Sequence, residues 1–498
     1  MILHLLDSFS LLLAGWVLHL VLVALVVVDC LRHRRAATSA ILWIFIAWSF
    51  PLVGPFLYLC IGVDRVPVKQ LRKASSNRRL DQSRESMVEA SPELAYWRTV
   101  HDAIQAEPEQ PFAHELSHAM NSILPDHPLL GGNMIDPLVT GDEYFPRLFE
   151  AVEAARHHIH LQSFIIANDD VGRQIMDLLA ARARAGVQVR LMFDRFGSTR
   201  AVLSGMFRRY SGIPNLHIMG WTQANPLKRQ FQINLRNHRK IIIIDGMRAF
   251  CGGINFAREN RCSKTHPAVR DYHFDIHGPV VRELQYTFMR DWYFMTREDP
   301  GSLFNESYYP PVTMEGSVMM RLINSEPTGR TGALGEAMFM SMVDARSQII
   351  AVTPYFVPTP DIQRALRAAA LRGVQTRIIV PRRNNHVYAG LAGRSLYEEL
   401  LDAGVRIYER NPPFMHAKAL LVDDTFALVG TANMDIRSLR LNYETCLAVY
   451  NDVFANRMKE IILEDQAESR EIYLHEWRRR PMRQQMIENF AALLSPVL

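Results

Sequence analysis

One pattern occurs twice in this chain of 498 residues, and it restricts the fold more than any other feature. It reads NHRKIIIIDGMRAFCGGIN at 237–255 and MHAKALLVDDTFALVGTAN at 415–433. Counted from His238 and His416, Lys stands at +2 (Lys240, Lys418) and Asp at +7 (Asp245, Asp423). Gly follows at +14 (Gly252, Gly430) and Asn at +17 (Asn255, Asn433). With 18 His in the chain, about 0.01 chance matches to His-x-Lys-x4-Asp are expected, so two in common register mark a repeat. In a strand, residues i and i+2 face the same way, so each His and Lys point together. The apolar runs IIII and ALLV continue the strand into a core. DGMR and DDTF then turn the chain, and the returning strand brings Gly and Asn back beside His and Lys.

The repeat extends upstream. ARHHIHLQSFII at 155–166 and GVQVRLMFD at 186–194 match ARSQIIAVTPYF at 345–356 and GVQTRIIVP at 373–381. Each pair of apolar runs encloses a helix-like stretch that ends on Gly, which predicts β-α-β and an α/β fold. The length calls for two or more domains.

Two His in one chain suit in-line displacement at phosphorus. One imidazole can attack while a second, charged, protonates the leaving oxygen and then deprotonates the acceptor. Lys240, Lys418, Asn255 and Asn433 would hydrogen-bond the non-bridging oxygens, with Gly253 and Thr431 as further substrate contacts. Only seven Lys accompany 49 Arg, yet two of them fill these positions. A compact ammonium is wanted there rather than a planar fork. Asp271 and Glu444 open the strand-like runs RDYHFDIHG and NYETCLAVY and are read as acids that orient the two imidazoles. Asp245 and Asp423 complete the catalytic motifs, and their place at the turns suits organising the hairpins more than moving protons. No metal or cofactor is called for. Five scattered Cys, at 30, 60, 251, 262 and 446, carry no CxxC spacing and argue against disulfides or structural zinc.

The N-terminus reads as a membrane anchor. Residues 8–28, SFSLLLAGWVLHLVLVALVVV, are long enough to cross a bilayer, with His19 the one strongly polar interruption. A second span is read at 40–62, containing Pro51, Gly54 and Pro55. The first seven residues hold no Lys or Arg and no clear cleavage site follows, which favours an uncleaved anchor. Arg32, Arg34 and Arg35 lie between the spans; Arg65, Lys69, Arg72, Lys73, Arg78 and Arg79 follow the second. Six against three puts the large domain on the cytoplasmic side. Residues 63–110 read as a linker with some helix. The C-terminal WRRRPMRQQMIENFAALLSPVL mixes Arg with apolar residues and suits either a membrane surface or a helix packed on the domain. The net charge of +5 does not separate lipid headgroups from nucleic acid, but no dense basic run flanks either motif, which speaks against a nuclease.

With these residues in view, the chain resembles the phospholipase D superfamily and, within it, the bacterial cardiolipin synthases. The resemblance spans nearly the whole chain: PLVGPFLYLCIG after the first span, RNHRKIIIIDG, GGIN, TPYFVPT at 353–359, RSLYEELLDAGVRIYE, MHAK, GTANMDIRS, LNYE and the ending ENFAALLSPVL. NNH at 384–386 departs from the family, which often has Asp there. The resemblance implies two tandem α-β-α sandwich repeats about a pseudo-twofold axis, preceded by two transmembrane helices. It divides the chain into an anchor (1–62), a linker (63–110) and two phospholipase D-like domains (111–312 and 313–498). It implies a multi-pass protein of the bacterial inner membrane that moves a phosphatidyl group from one phosphatidylglycerol to another, giving cardiolipin and glycerol. It assigns His238 as nucleophile and His416 as acid/base, although the residues themselves are symmetric. A hydrolytic phospholipase D, or a transferase using an alcohol such as ethanolamine, remains open, because water and alcohols compete for one phosphohistidine.

Overall fold

The computed structural model describes residues 2–32, 37–59, 66–90, 108, 111–124, 127–221, 236–304, 306–311, 313–327 and 332–493. Arg34, Arg35 and Arg65, the end of the second apolar segment at 60–62, linker residues 63–65, 91–107 and 109–110, and residues 494–498 lie outside the described residues. Contacts divide the chain into Met1–Lys69 and Gln70–Leu498.

The first unit holds a helix over Ile2–Arg32, of which Leu13–Arg32 is long and apolar enough to cross a membrane. Its polar His19 is paired: Nε2 lies 3.2 Å from the Trp48 carbonyl. The second apolar segment differs from a single span. Its helix runs only over Ala37–Ser49, about 20 Å at 1.5 Å per residue. The chain bends at 50–52, where Pro51 lacks an N–H and Leu52 takes φ 63°, and a short helix follows over Val53–Leu57. Gly54 allows this return, since a Cβ there would strike the Ile46 carbonyl.

Among the described residues, the second unit is built on one sheet of fifteen strands. The first repeat supplies β1 (Leu129–Val139), β2 (His158–Ser163), β3 (Gln188–Asp194), β4 (Leu216–Trp221), β5 (Ile241–Ile244), β6 (Arg248–Gly252) and β7 (Tyr272–His277). The second supplies β8 (Val318–Ser325), β9 (Gln348–Val352), β10 (Gln375–Pro381), β11 (Arg406–Arg410), β12 (Ala419–Val422), β13 (Phe426–Gly430) and β14 (Glu444–Tyr450), with β15 (Ser469–Ile472) added at the edge. The order is β15-β11-β10-β9-β12-β13-β14-β8-β1-β7-β6-β5-β2-β3-β4. Outward from the antiparallel β8–β1 pair, the two halves run in the same sequence. The duplication read from the motif is therefore a duplication of the fold, and the class is α/β.

The apolar runs of the motif are buried on both faces, as strands covered by helices on either side must be. Ile241 and Ile243 join Ala419 and Leu421 in one core that both repeats share. Ile242 and Ile244 face a core private to the first repeat, and Leu420 and Val422 one beneath the second. Helices Val280–Thr296 and Asp452–Ala467 cover the shared side; Asp170–Arg184 and Pro360–Leu371 cover the private sides. The last two helices end at Gly186 (φ 99°) and Gly373 (φ 90°), a backbone turn that other residues resist.

The region read as linker is partly structural. A helix runs over Val66–Ala90, and within the second unit its Leu80 joins the shared core while Lys73 pairs with buried Asp291 at 2.8 Å. Arg239 holds the same carboxylate at 2.7 Å. Lys73 is thus consumed in the interior and drops out of the basic count used for membrane orientation.

Candidate active site

The two motifs meet through an exchange of backbone between the repeats. The His238 N–H donates to the Tyr443 carbonyl at 2.9 Å, and the Tyr443 N–H donates to that of Arg236 at 2.9 Å. In the mirrored position, the His416 N–H donates to the Arg270 carbonyl at 2.7 Å, and the Arg270 N–H to that of Phe414 at 3.0 Å. Each motif histidine is therefore pinned to the residue that precedes the acid of the other repeat. Glu444 reaches His238 Nδ1 at 2.9 Å, and Asp271 reaches His416 Nδ1 at 2.7 Å. The sequence names both acids; the structure adds that the pairing is crossed.

A carboxylate only accepts, so each pairing places the imidazole proton on Nδ1 and leaves the Nε2 lone pair as the reactive position. Both rings line one cavity of about 800 Å³. Phe164 stands edge-on to His238, with centroids 4.9 Å apart. Asn255 and Asn433 also line the cavity, and the Oδ1 of each is buried without a hydrogen-bond partner among the described residues. Lys240 Nζ donates to the His238 carbonyl at 2.9 Å; Lys418 Nζ reaches the carbonyl of His416 and lies 2.9 Å from its Nδ1. That nitrogen carries a single proton, which goes to the closer Asp271.

Burial sets the charges here. It lowers the pKa of His238, and it lowers that of His416 to about 4 with help from Lys418, so both imidazoles rest neutral at pH 7. It depresses Lys240 to about 7 and Lys418 to about 8. Asp271 and Glu444 are pushed up by burial, but Lys418 and His416 for the one, and His238 and Lys240 for the other, outweigh it and keep both ionised.

Of the residues expected at the substrate, Lys240, Lys418, Thr431 and Gly253 are not part of the cavity lining. The Thr431 hydroxyl donates to Glu444 at 2.6 Å, and its carbonyl lies 3.2 Å from His238 Nδ1, so it steadies the acid and the ring. Gly253 gives room to Asp271, whose carboxylate a Cβ would strike. Asp245 and Asp423 stand apart from the other motif residues. Asp245 takes φ 53° at the β5–β6 turn and accepts from the N–H groups of Arg156, His157 and His158 at 2.8–2.9 Å. Asp423 (φ 52°) does the same for Arg346, Ser347 and Gln348 at 2.6–2.9 Å. Each ties its hairpin to the start of the neighbouring strand. Asp245→Ala and Asp423→Ala should each cost about 1–3 kcal/mol of stability, read by urea unfolding, while activity per folded molecule stays within about threefold.

Among the cavity residues that escaped the sequence reading, four polar ones stand out. Asp435, inside GTANMDIRS, accepts from the Ser438 N–H at 2.6 Å, and burial raises its pKa to about 6. Arg236, two residues before His238, lies 3.5 Å over the Phe196 ring and is lowered to about 10 by burial. Arg437 and Tyr355 complete the set. Their place within or beside the repeated motifs was a usable signal for the first three. In the NNH segment, Asn385 accepts from the Tyr355 hydroxyl at 2.8 Å, and all three of its residues line the cavity. Among the described residues, no three His, Cys, Asp or Glu side chains are grouped to hold a metal ion.

A duplicated α/β sheet with paired His-x-Lys motifs at the join defines a two-repeat protein of the phospholipase D class. Family models agree: "Cardiolipin synthase, PLD-like domain" matches residues 148–292 and 339–466, and "Phospholipase_D-nuclease N-terminal" matches 21–62. A cardiolipin synthase of Geobacillus thermodenitrificans is 34% identical over 94% of this chain and 90% of its own length. Cardiolipin synthase A of Pseudomonas entomophila is 35% identical over 74% of this chain and 76% of its own. The chain belongs to the cardiolipin synthase family, enzymes of the phosphatidyltransferase type. The crystal structure of a phosphatidylserine synthase from Haemophilus influenzae shares the fold, with a TM-score of 0.60 at 15% identity, covering 77% of this chain and all of the other.

Proposed function

We propose that the enzyme transfers a phosphatidyl group from one phosphatidylglycerol to a second, releasing glycerol and forming cardiolipin. The observation that carries this reading is the pair of imidazoles in one cavity, each with Nδ1 held by a carboxylate from the opposite repeat. His238 Nε2 attacks phosphorus; the bond to the glycerol oxygen breaks, and His416, protonated once the anionic phosphate is bound, gives its proton to that oxygen. His416 Nε2 then takes the proton of the incoming glycerol hydroxyl, whose oxygen displaces His238 from phosphorus. Lys240, Lys418, Asn255 and Asn433 serve the non-bridging oxygens; Asp271 and Glu444 orient. Thr431 and Gly253 act through those acids, and Asp245 and Asp423 through the hairpins.

The same reading makes Leu13–Arg32 a membrane span, with the broken second segment completing a hairpin, and sets the catalytic unit at the cytoplasmic face of a bacterial inner membrane. Its domain limits are those of the two repeats, 111–312 and 313–498. Incubation with labelled phosphatidylglycerol and separation of the lipids tests the transfer: cardiolipin with glycerol is the expected product. Phosphatidic acid alone would make the enzyme a hydrolase, and a product that forms only with added ethanolamine would change the acceptor.

The lysines predict a pH dependence. A lysine with a depressed pKa is charged below that value and neutral above it, so phosphate is best held at low pH. Tungstate affinity, measured by calorimetry, should fall about tenfold between pH 6.5 and 8.5, and Lys240→Arg with Lys418→Arg should flatten that fall. An equally steep fall in the double variant would remove the lysines from phosphate binding.

A further inference from the structure

The helix Met482–Leu493 is turned inside out. Met482, Met486, Phe490 and Leu493 are exposed by 78, 65, 65 and 76%, whereas Glu488 is 0% exposed. At 100° per residue those four apolar side chains fall within an arc of about 80°, so they form one stripe, and Glu488 and Ala491 lie on the opposite side. The buried face packs on helix Val387–Arg394, where Ala491 meets Ala392 and Val357. Arg394 and Arg480 hold Glu488 at 3.0 and 3.2 Å. A helix that buries a carboxylate and presents Met, Phe and Leu outward is built for something other than water on its outer side.

We infer that this stripe rests in the lipid bilayer and brings the mouth of the catalytic cavity to the membrane surface. The inference rests on the reading of the substrate as a phospholipid. Acyl chains stay in or beside the bilayer while the headgroup enters the cavity, so the cavity needs an apolar rim. Helix Val387–Arg394 supplies the link. Its Tyr388 and Ala389 line the cavity, and Val387 and Tyr388 are 69 and 44% exposed. A second cavity of about 510 Å³, lined by residues of both helices, shares Arg383, Asn384 and Ala389 with the catalytic one. Arg479 and Arg483 are exposed on and just before the helix and have no ion pair among the described residues. Arginines beside an apolar stripe complement an anionic headgroup layer. A second copy of this chain would set those arginines against their own counterparts.

The test uses the full chain in phosphatidylglycerol nanodiscs. Cys262→Ser removes the thiol exposed among the described residues, Cys60→Ser removes the one outside them, and Phe490→Cys carries an environment-sensitive fluorophore. Nitroxides on the acyl chains should quench that label at least twofold, with iodide excluded; the same label at exposed Arg364→Cys should show the reverse. Iodide quenching of both labels without nitroxide quenching would overturn the inference. So would disulfide crosslinking between two chains through Phe490→Cys. Met486→Glu with Phe490→Glu should raise the KM for vesicle lipid about tenfold with kcat within twofold, and leave short-chain soluble substrate unaffected. An equal loss on the soluble substrate would mean damage to the fold instead. If labelled cardiolipin forms but the stripe stays wet, the proposed function stands and the membrane contact fails.

Discussion

His238→Ala should abolish both the covalent intermediate and turnover, whereas His416→Ala should let the intermediate form and then hold it. The donor for this experiment is a phosphatidyl ester of p-nitrophenol, whose leaving group needs no proton. With that donor the first displacement depends on His238 alone. Loss of the nucleophile should cost about 10⁴-fold or more. Loss of the acid should barely slow nitrophenolate release in the first turnover, because no proton is needed. The second displacement still needs a base for the incoming hydroxyl, so turnover should fall about 10²–10⁴-fold and the phosphatidyl-enzyme should accumulate. Mass spectrometry of the quenched protein reads the adduct directly, and tryptic mapping should place it on His238. An adduct that survives in His238→Ala, or maps to His416, would reverse the assignment that the resemblance suggested.

Much of this architecture was legible because it depends on local pattern. Offsets of +2, +7, +14 and +17 fixed two hairpins, and the runs IIII and ALLV fixed strands that enter the core. Asp271 and Glu444 were found from their place at the start of the next strand. Three features were not legible, each for a physical reason. The crossing of acids and histidines depends on backbone pairing between segments about 145 to 206 residues apart, which no local pattern carries. The burial of Lys73 depends on Asp291, more than 200 residues away, and a lysine in a basic run reads as surface. The inverted helix at 482–493 carries an ordinary mixture of Arg, Gln, Met and Phe, and only its packing partner reveals which face points out.

The exchange also bears on what a single repeat could do. Cut between β7 and β8, the first half would keep His238 and Asp271 but lose the partner of each. Glu444, fully buried beside His238, Lys240 and Thr431, would keep its hydrogen bonds from Thr431 and Asn442 and the charge of Lys418, but lose both His238 and Lys240. A buried carboxylate that loses a hydrogen-bond donor and one of its two ammonium groups is destabilised, so the shared core and the active site are coupled in stability as well as in chemistry. Both are set by the same join, β8 against β1 with the two crossed strand starts.

That crossing predicts an inverted pattern of phenotypes for the orienting acids. Asp271→Asn, in the first repeat, should behave like damage to His416 of the second. Glu444→Gln, in the second, should behave like damage to His238 of the first. An amide in place of the carboxylate can still bond to the ring, but it no longer demands the proton on Nδ1, and the reactive Nε2 loses its lone pair part of the time. Each change should lower turnover about 10²–10⁴-fold. The adduct separates the two. With the nitrophenyl donor, Asp271→Asn should accumulate phosphatidyl-His238, and Glu444→Gln should form it slowly and accumulate none. Double variants sharpen the comparison. Adding Asp271→Asn to His416→Ala should cost little further, because the acid has no ring left to orient. Adding Glu444→Gln to His416→Ala should remove the accumulated adduct. If instead Asp271→Asn prevents adduct formation and Glu444→Gln preserves it, each acid serves the histidine of its own repeat. The 2.7 and 2.9 Å pairings would then have no catalytic meaning.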